Sequence, residues 1–416
     1  MKKHGNFLRI GICILLTAVL VAVSAVSPEL ASAGNDGIDV VGFTVSETFE
    51  DHIAAALAGK CPDGSVVTAE TEYGTFSAKA SGTTFILRIE LPQNTEVSMT
   101  LRAEDSTGRV ICSTRYTGKP REWVPNDSWA TVTGLDSQLF LRKEMSDVTR
   151  SNLLDEEELD KLESRIEERI NSIKEVLPDT EFIYLIVPSC ADIYPERVPD
   201  DYPQGTGETL YDQIEQMLTE AGAVVIDARD AMKEHKNDDI PLYCVTDSHW
   251  TQYGAFIAYT ELFNYISERF PEAAPRSYED FNWTEGYFEG GDLAYYLNMR
   301  QDLLTEEYWT RTFACSVPEE ISDIEVFTDD SSRSYSSFGV LGKQVIDTGR
   351  SELPSALVYR DSYSVAIYDI LAERFDRTYM RGAFDYGWKP EEILEEKPDY
   401  VIFIYSEYNM DAITDN

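Results

Sequence analysis

Histidine, cysteine and positive charge are all scarce in this chain of 416 residues. It contains 4 histidines and 6 cysteines, which leaves few ligands for a transition-metal cluster. Lysine and arginine number 35 against 75 acidic residues, giving a net charge of −40. That balance argues against nucleic acid as a partner, because binding to phosphates depends on cationic side chains. Hydrophobic residues at 43% exclude a disordered or fibrous chain, and the length allows two or three domains.

Several motifs are also missing. No glycine-rich phosphate-binding loop follows the first buried strand of the second half of the chain, which argues against a nucleotide-dependent enzyme. The acidic clusters lack the ligand spacing of an EF-hand loop, so they are read as solvated loops rather than calcium sites. The chain has no internal repeat and no low-complexity tract. The chemistry, if any, is therefore expected from ordinary side chains without a metal or another cofactor.

The N-terminus has the pattern of an export signal. Basic residues precede an uncharged apolar run from Ile10 to Val26, and the small residues Ala31–Ala33 follow it. The run is slightly long for a signal core and nearly long enough to span a bilayer. Residues 1–33 are therefore predicted to be a cleaved signal peptide or a retained membrane anchor. In both cases the remainder is expected to be secreted or anchored on the extracytoplasmic face of the membrane.

Export bears on the cysteines, since an oxidising compartment allows them to pair. The cysteines that follow the export segment are odd in number, so at least one is a free thiol or an intermolecular partner. A disulfide between the first two or between the next two is one interpretation, and buried thiols are the other. These residues are Cys61, Cys112, Cys190, Cys244 and Cys315.

Residues 37–118 predict a small antiparallel β-sandwich. Short alternating runs such as Thr84–Leu91 are separated by turn residues such as Pro62–Gly64. The segments Gly59–Val67 and Ala103–Gly108 resemble the Ig-like modules of secreted bacterial proteins.

From about residue 125 to 416 the pattern predicts an α/β domain. Continuous apolar strands such as Phe182–Val187 and Tyr400–Ile404 alternate with helices, which is typical of a parallel sheet covered on both faces. Residues 275–350 interrupt this alternation and are predicted to be an insertion or a long irregular crossing.

Two segments carry reactive side chains where such a sheet binds ligands, beyond the carboxyl ends of its strands. Ser362 directly follows the apolar strand Ala356–Tyr359 and opens a helix predicted for Ser364–Phe375. Asp247 and His249 are two residues apart, close enough for the carboxylate to orient the imidazole while the other ring nitrogen faces a hydroxyl. These are the parts of a serine nucleophile with its base. The sequence therefore predicts a catalytic triad of Ser362, His249 and Asp247.

Structural roles are the alternative explanation for these residues. Asp361 or Ser362 could simply cap the following helix, and an aspartate beside a surface histidine is common. Capping is compatible with catalysis, because the open N–H groups at a helix start also stabilise a developing oxyanion. Ser364 is a second candidate nucleophile, but it lies further into the helix. His249 is the histidine best placed for catalysis; the others lie in the export segment (His4), the N-terminal region (His52) and a charged stretch (His235).

Between about residues 134 and 410 the chain resembles the AlgX/AlgJ-like alginate O-acetyltransferase family and its relatives named for a D-H-H-W motif. The resemblance implies an SGNH-hydrolase-like three-layer α/β fold with Ser362, His249 and Asp247 as the triad. The candidates for substrate or oxyanion binding are Tyr363, Arg360, Trp250 and Asp292. The motifs that carry the resemblance are Gly134-Leu135-Asp136, Val187-Pro188-Ser189, Thr246–Trp250, Gly291-Asp292-Leu293, Arg360–Tyr363 and Pro398–Ile402.

The function that this resemblance implies is an exported O-acetyltransferase of exopolysaccharide biosynthesis. It would acetylate hydroxyls of an extracellular or cell-envelope polysaccharide, receiving acetyl groups through a membrane-bound acyltransferase partner. The chain departs from the family pattern in three places. Cys190 stands where lysine is common, and after the last strand only Glu407 represents the charged residues of the family. The N-terminal sandwich is the third departure. The identity of the polysaccharide therefore does not follow from the resemblance. An acetyl esterase with the same triad and a non-catalytic polysaccharide-binding or assembly protein are the alternatives.

Overall fold

A computed structural model describes residues 37–123, 130–322 and 341–414. The predicted export segment, residues 1–33, lies outside this range, as does the start of the predicted α/β domain at residue 125. Within the described ranges, no helix combines the length and the apolar character needed to cross a bilayer.

The first part of the chain forms two antiparallel sheets that pack on a shared core. One sheet has the strand order β1-β2-β5 and the other β4-β3-β6-β7. Leu57 and Leu87 from the first sheet and Val67 and Leu101 from the second are fully buried in this core. The antiparallel arrangement agrees with the sequence pattern, and the relation to Ig-like modules stays a prediction. The strands are β1 (Asp39–Thr48), β2 (Ile53–Lys60), β3 (Val66–Glu70), β4 (Thr75–Lys79), β5 (Thr84–Leu91), β6 (Val97–Glu104) and β7 (Val110–Gly118).

The second part of the chain is built around a six-stranded sheet with the order β11-β10-β17-β15-β16-β14. Its first five strands are parallel, whereas β14 runs antiparallel to β16 at the edge. The all-parallel sheet expected from the sequence is therefore wrong at this edge. The link from β14 to β15 is too short for the helical crossover that parallel pairing requires. These strands are β10 (Glu181–Val187), β11 (Val224–Asp227), β14 (Gln344–Asp347), β15 (Ser355–Arg360), β16 (Arg377–Met380) and β17 (Tyr400–Ser406).

Helices cover both faces of this sheet, which gives the three layers expected. Along β10, Ile183 and Leu185 face one core while Phe182 and Tyr184 face the other, so the apolar run is explained by burial on both sides. The helices are α1 (Glu144–Thr149), α2 (Glu156–Lys174), α3 (Cys190–Ile193), α4 (Leu210–Glu220), α5 (Arg229–His235), α6 (Gln252–Arg269), α7 (Asp292–Tyr296), α8 (Glu319–Ser322), α9 (Tyr368–Glu373), α10 (Pro390–Glu396) and α11 (Asp411–Thr414).

Two further β-pairs lie outside the main sheet. Strands β8 (Thr131–Thr133) and β9 (Leu139–Leu141) form a short antiparallel pair, and β12 (Phe281–Glu289) and β13 (Thr305–Phe313) form a longer one. The β12–β13 hairpin, with α7 between its strands, occupies much of the predicted insertion at 275–350. The end of that segment is not an insertion, because β14 belongs to the main sheet.

The structure differs from the sequence-based expectations in two smaller points, the helix after Ser362 and the pairing of the cysteines. The helix expected at Ser364–Phe375 is a 3-10 turn over Ser362–Ile367 followed by the short helix α9. Asp361 caps the turn by accepting the Tyr363 N–H at 2.9 Å. The five cysteines that the structure describes are all free thiols, so neither of the two pairings is formed.

Candidate active site

The carboxyl ends of the central strands bring the predicted residues together. Ser362 follows β15, whereas His249 and Asp247 lie in the segment before α6. The Ser362 and His249 side chains are partly exposed, and the Asp247 side chain is buried. The hydroxyl and the imidazole are therefore open to a ligand, while the carboxylate behind them is shielded from water.

These three side chains form a continuous hydrogen-bonded line. His249 Nε2 lies 2.8 Å from Ser362 Oγ, and His249 Nδ1 lies 2.7 Å from Asp247 Oδ1. Because a carboxylate only accepts hydrogen bonds, the Nδ1–H donates to Asp247, and in the neutral imidazole Nε2 is left to accept the Ser362 O–H. Asp247 Oδ1 also accepts the backbone N–H of His249 at 3.0 Å, which fixes the side chain of Asp247 against its own loop.

The electrostatics of this line favour a strong base. Burial lowers the pKa of the His249 imidazole, but the charge and the hydrogen bond of Asp247 outweigh burial and raise it to about 9. Burial also opposes ionisation of Asp247, yet His249 and the surrounding N–H donors keep the pKa of that carboxyl below its usual value. An ionised Asp247 beside His249 is therefore the stable state, and it raises the proton affinity of Nε2.

Asp361 fixes the turn that carries Ser362. Its Oδ1 accepts the Tyr363 N–H at 2.9 Å, and its Oδ2 accepts from Ser406 N and Oγ at 2.8 and 2.9 Å and from Asn409 Nδ2 at 3.1 Å. One buried carboxylate thus ties the serine turn to the end of β17. The backbone N–H of Ser362 has no acceptor among the described residues, so it is available to a ligand oxygen.

The loop with Asp247 and His249 is fixed by residues that follow the β12 strand. Asp292 accepts from Ser248 N and Ser248 Oγ, each at 2.7 Å, and its own N–H donates to Asp247 Oδ2 at 3.2 Å. A side chain at Gly291 would place its Cβ 2.3 Å from the Cβ of Asp247. Glycine is therefore required here for a close approach, and not for an unusual backbone conformation.

Glu306, on β13, binds the same loop from the other side. It is buried, and it accepts from Val245 N–H and, at 2.8 and 2.5 Å, from the N–H and hydroxyl of Thr246. The Thr246 hydroxyl in turn accepts the Gly291 N–H at 2.9 Å. Burial raises the pKa of Glu306 to about 8, although the bonds from Thr246 and Val245 oppose that rise.

The four residues predicted to bind substrate or an oxyanion are all buried, and their polar groups contact the protein. Trp250 Nε1 donates to Tyr363 O at 2.9 Å, and the Tyr363 hydroxyl donates to Ser248 O. The Arg360 guanidinium donates to Arg381 O at 2.8 Å and to Ser364 Oγ at 3.2 Å, and neither partner belongs to the reactive line. Trp250, Tyr363 and Asp292 thus link the segments that carry Ser362 and His249. Direct contact with a substrate stays a prediction for all four.

One set of potential metal ligands occurs at this site. Ligand atoms of Asp247, His249 and Asp292 lie within 4.8 Å of one another, the only such set in the described part of the chain. Both ring nitrogens of His249 already have protein partners, and Asp292 accepts two hydrogen bonds from Ser248. The arrangement therefore fits hydrogen-bonded acid–base chemistry better than metal coordination.

The residues that hold the loop with Asp247 and His249 from a distance in sequence are not predicted by the sequence pattern. Glu306 lies in the segment taken as an insertion, and nothing in its sequence surroundings marks it. Thr246 and Gly291 occur in the quoted motifs, but their contact with each other crosses 45 residues of sequence. A glutamate on a strand of alternating burial is only a weak sign of a functional residue. The fold is needed to show that this side chain contacts Val245 and Thr246.

Comparison with known proteins agrees with the resemblance seen in the sequence. Residues 132–333 match the family described as "SGNH hydrolase-like domain, acetyltransferase AlgX". Two curated proteins, each described as a probable alginate O-acetylase AlgJ, are similar over shorter segments: one from Pseudomonas syringae pv. tomato is 28% identical over 100 residues, and one from Azotobacter vinelandii is 27% identical over 95. These segments cover 24% and 22% of this chain and about a quarter of each relative.

The solved structure of Bacillus cereus PatB1 is similar with a TM-score of 0.50 and 18% identity, over 68% of this chain and 98% of PatB1. At that identity the likeness supports the fold alone. The family match and the curated relatives support an AlgX/AlgJ-like, SGNH-hydrolase-like domain in the second part of this chain.

Proposed function

We propose that this protein is an exported O-acetyltransferase that acetylates hydroxyl groups of an extracellular or cell-envelope polysaccharide. The observation that best supports it is the hydrogen-bonded line from Asp247 through His249 to Ser362, with contacts of 2.7 and 2.8 Å. The acyl group is taken as acetyl because the curated relatives are described as probable alginate O-acetylases.

In the first half of the reaction, Ser362 Oγ attacks the acetyl carbonyl of a donor while its proton passes to His249 Nε2. Asp247 stabilises the imidazolium that forms, and the Ser362 N–H donates to the oxyanion. His249 then gives its proton to the departing group, leaving Ser362 as an acetyl ester. In the second half His249 takes the proton of a sugar hydroxyl, whose oxygen attacks the ester carbonyl. The bond to Ser362 Oγ then breaks, His249 returns the proton to that oxygen, and the acetylated sugar leaves.

The donor and the compartment follow from the family resemblance and the N-terminal sequence. A membrane-bound acyltransferase partner would supply acetyl groups on the outer side of the membrane, where the export segment delivers this chain. An acetyl esterase would use the same triad with water in place of the sugar hydroxyl. The two differ in how well the acetyl-enzyme excludes water from Ser362.

A transfer assay tests the proposal and separates these outcomes. The purified protein would be given an acetyl ester donor with and without polysaccharide fragments, and free acetate and acetylated glycan would be measured by mass spectrometry. We expect acetylated glycan to form at the expense of free acetate. Release of acetate alone, unaffected by every glycan, would favour the esterase, and no turnover of the donor would favour the non-catalytic alternative.

A further inference from the structure

A polar cavity opens at the same edge of the main sheet as Ser362. Its volume is about 170 Å³, and it is lined by Asp147, Asp192 and Glu407, with Lys233 and Gln204 among its other residues. Clefts for drug-sized molecules measure about 300–1,000 Å³, so this one suits a single ring-sized unit. None of these residues takes part in the hydrogen-bonded line described above.

The topology of the sheet places the cavity close to the reactive serine. Glu407 follows β17 and Ser189, another lining residue, follows β10, while Ser362 follows β15. These three strands are neighbours in the order β10-β17-β15, and adjacent strands lie about 4.8 Å apart. The cavity therefore lies one or two strand spacings from Ser362, a distance that one polymer chain along this edge can bridge.

The cavity presents an unused acceptor. Asp147 is 6% exposed, and its Oδ1 accepts from Asn152 Nδ2 at 2.6 Å, but its Oδ2 has no donor among the described residues. Glu407, 4% exposed, accepts the Ser189 N–H at 2.6 Å. A carboxyl oxygen that lines a narrow cavity accepts hydrogen bonds, and a ligand rich in hydroxyl groups supplies the donors.

A single metal ion does not fit this arrangement. A cation needs oxygen ligands that converge on one point, and Asp147, Asp192 and Glu407 do not bring three ligand atoms within 4.8 Å of one another. Burial raises the pKa of Asp147 to about 6, and burial together with the charges of Asp147 and Asp192 raises that of Glu407 well above its usual value. Partly neutral carboxyl groups at separate points suit spaced hydroxyls.

The charges at the cavity also select against an anionic sugar. Lys233 Nζ is paired with Asp192 at 2.9 Å, and the Arg150 guanidinium donates to the backbone oxygens of Asp147 and Val148. Both cations are thus engaged, and the chain as a whole carries a net charge of −40. A polyanion would find no free cation among the described residues that line the cavity, and the net negative charge of the chain would repel it.

We propose that this cavity is a subsite for an uncharged sugar unit of the acceptor polysaccharide. The inference rests on the proposed function, because a sugar bound here positions a neighbouring unit for attack on the acetyl ester of Ser362. It assigns the acceptor to the neutral glycans and not to the polyuronates.

Measuring sugar binding in the absence of an acetyl donor tests the subsite separately from catalysis. Calorimetric titration of the full chain, with no acetyl donor, would use oligosaccharides of neutral glucan, mannan and xylan and, in parallel, oligouronates. We expect at least one neutral series to bind and the oligouronates to bind more weakly. Asp192→Asn should weaken binding of the neutral oligosaccharide about tenfold, the loss expected for one hydrogen bond to a charged group. Gln204→Ala, at an exposed position, gives a second test if Asp192→Asn fails to fold.

Glu208→Gln is the matched control, since Glu208 is exposed nearby but does not line the cavity, and its binding should equal that of the wild type. Tighter binding of oligouronates, no binding of any neutral series, or unchanged binding in both cavity variants would overturn the subsite. Acetylation of Ser362 by an acetyl ester without acceptor is measured on the wild type in parallel. Its absence would count against the proposed function, whereas the titration alone decides the subsite.

Discussion

The two halves of the candidate site are held in different ways. The Ser362 turn is tied to the core of the sheet, because Asp361 bonds to Ser406 and Asn409 at the end of the adjacent strand β17. The loop with Asp247 and His249 is tied to the β12–β13 region instead, through Gly291, Asp292 and Glu306. Ser362 thus depends on contacts with the main sheet, and His249 depends on contacts with the β12–β13 region.

This difference assigns a role to the β12–β13 region. A hairpin that only covered the surface could be altered without an effect on Ser362 or His249. Here one buried acid on β13 accepts the N–H groups of Val245 and Thr246, directly before Asp247. Changes in the hairpin should therefore act on the base, while changes around Asp361 should act on the nucleophile.

The largest effect is expected from removing the nucleophile. Ser362→Ala should lower acetyl-ester turnover by about 10³–10⁶-fold, as for serine triads in general. The fold should survive, since Asp361 still caps the turn, and the thermal midpoint should hardly change. Ser364→Ala is the matched control, because its hydroxyl donates to Asp361 O at 2.7 Å and lies outside the reactive line. Loss of turnover in Ser364→Ala with normal turnover in Ser362→Ala would identify Ser364 as the nucleophile instead.

Asp247→Asn should weaken the base and move the pH profile. With His249 at a pKa of about 9, only neutral imidazole accepts the Ser362 proton, so wild-type turnover should rise with pH up to about 9. The asparagine removes the charge that raises this pKa and favours the wrong tautomer. Turnover should fall by about 10²–10⁴-fold, with the midpoint of the profile shifted to lower pH. A wild-type profile that is flat from pH 6 to 9, with chemistry rate-limiting, would contradict the assignment of His249.

Gly291→Ala tests the attachment of the base loop by a single methyl group. The new Cβ would lie 2.3 Å from Asp247 Cβ, so the carboxylate must move away from its place behind His249. Displacement of this kind should reduce turnover by about 10²-fold, since catalysis depends on positions held within about 1 Å. In the control Gly290→Ala, the Cβ meets Leu304 at 3.2 Å and leaves Asp247 in place. Equal losses in the two variants would show that the effect is not specific to Asp247.

The smallest of these effects is expected from Glu306→Gln. The amide retains one acceptor oxygen, but its NH₂ group faces a backbone donor, which costs about 1–3 kcal/mol of unfolding free energy. We expect roughly tenfold lower turnover and a pH midpoint displaced from that of the wild type, because Asp247 loosens behind His249. Glu307→Gln is the control on the same strand, where Oε1 accepts only from the Trp309 indole at 3.1 Å. An unchanged pH profile with lowered stability would reduce Glu306 to a purely structural role.

The sequence predicts the fold well where local pattern and burial agree. Strand β10 is confirmed within one residue of the predicted Phe182–Val187, since a strand buried on both faces is an unbroken apolar run. Edge strand β14 was missed because four residues with one buried side chain leave little pattern. The tight turn at Ser362 was missed because its geometry is set by the Asp361 cap and by β17, which is distant in sequence.

The same contrast applies to the site. Asp247 and His249 are neighbours in sequence, and Ser362 follows a recognisable strand, so local reasoning brings all three to one sheet edge. The residues that support the loop with Asp247 and His249 lie 44 to 61 positions away in sequence, and their identity depends on how the β12–β13 region packs. Contacts between residues this far apart in sequence leave no local pattern that could predict them.

Site-specific labelling of the nucleophile tests the central claim most directly. The full chain would be treated with an acetyl ester and, separately, with a sulfonyl fluoride, and the modified residue would be located by peptide mass spectrometry across a pH series. We expect a single adduct on Ser362 that forms faster as the pH rises towards 9 and much more slowly in Asp247→Asn. An adduct on another serine, or labelling of Ser362 at a rate that ignores both pH and Asp247, would contradict it.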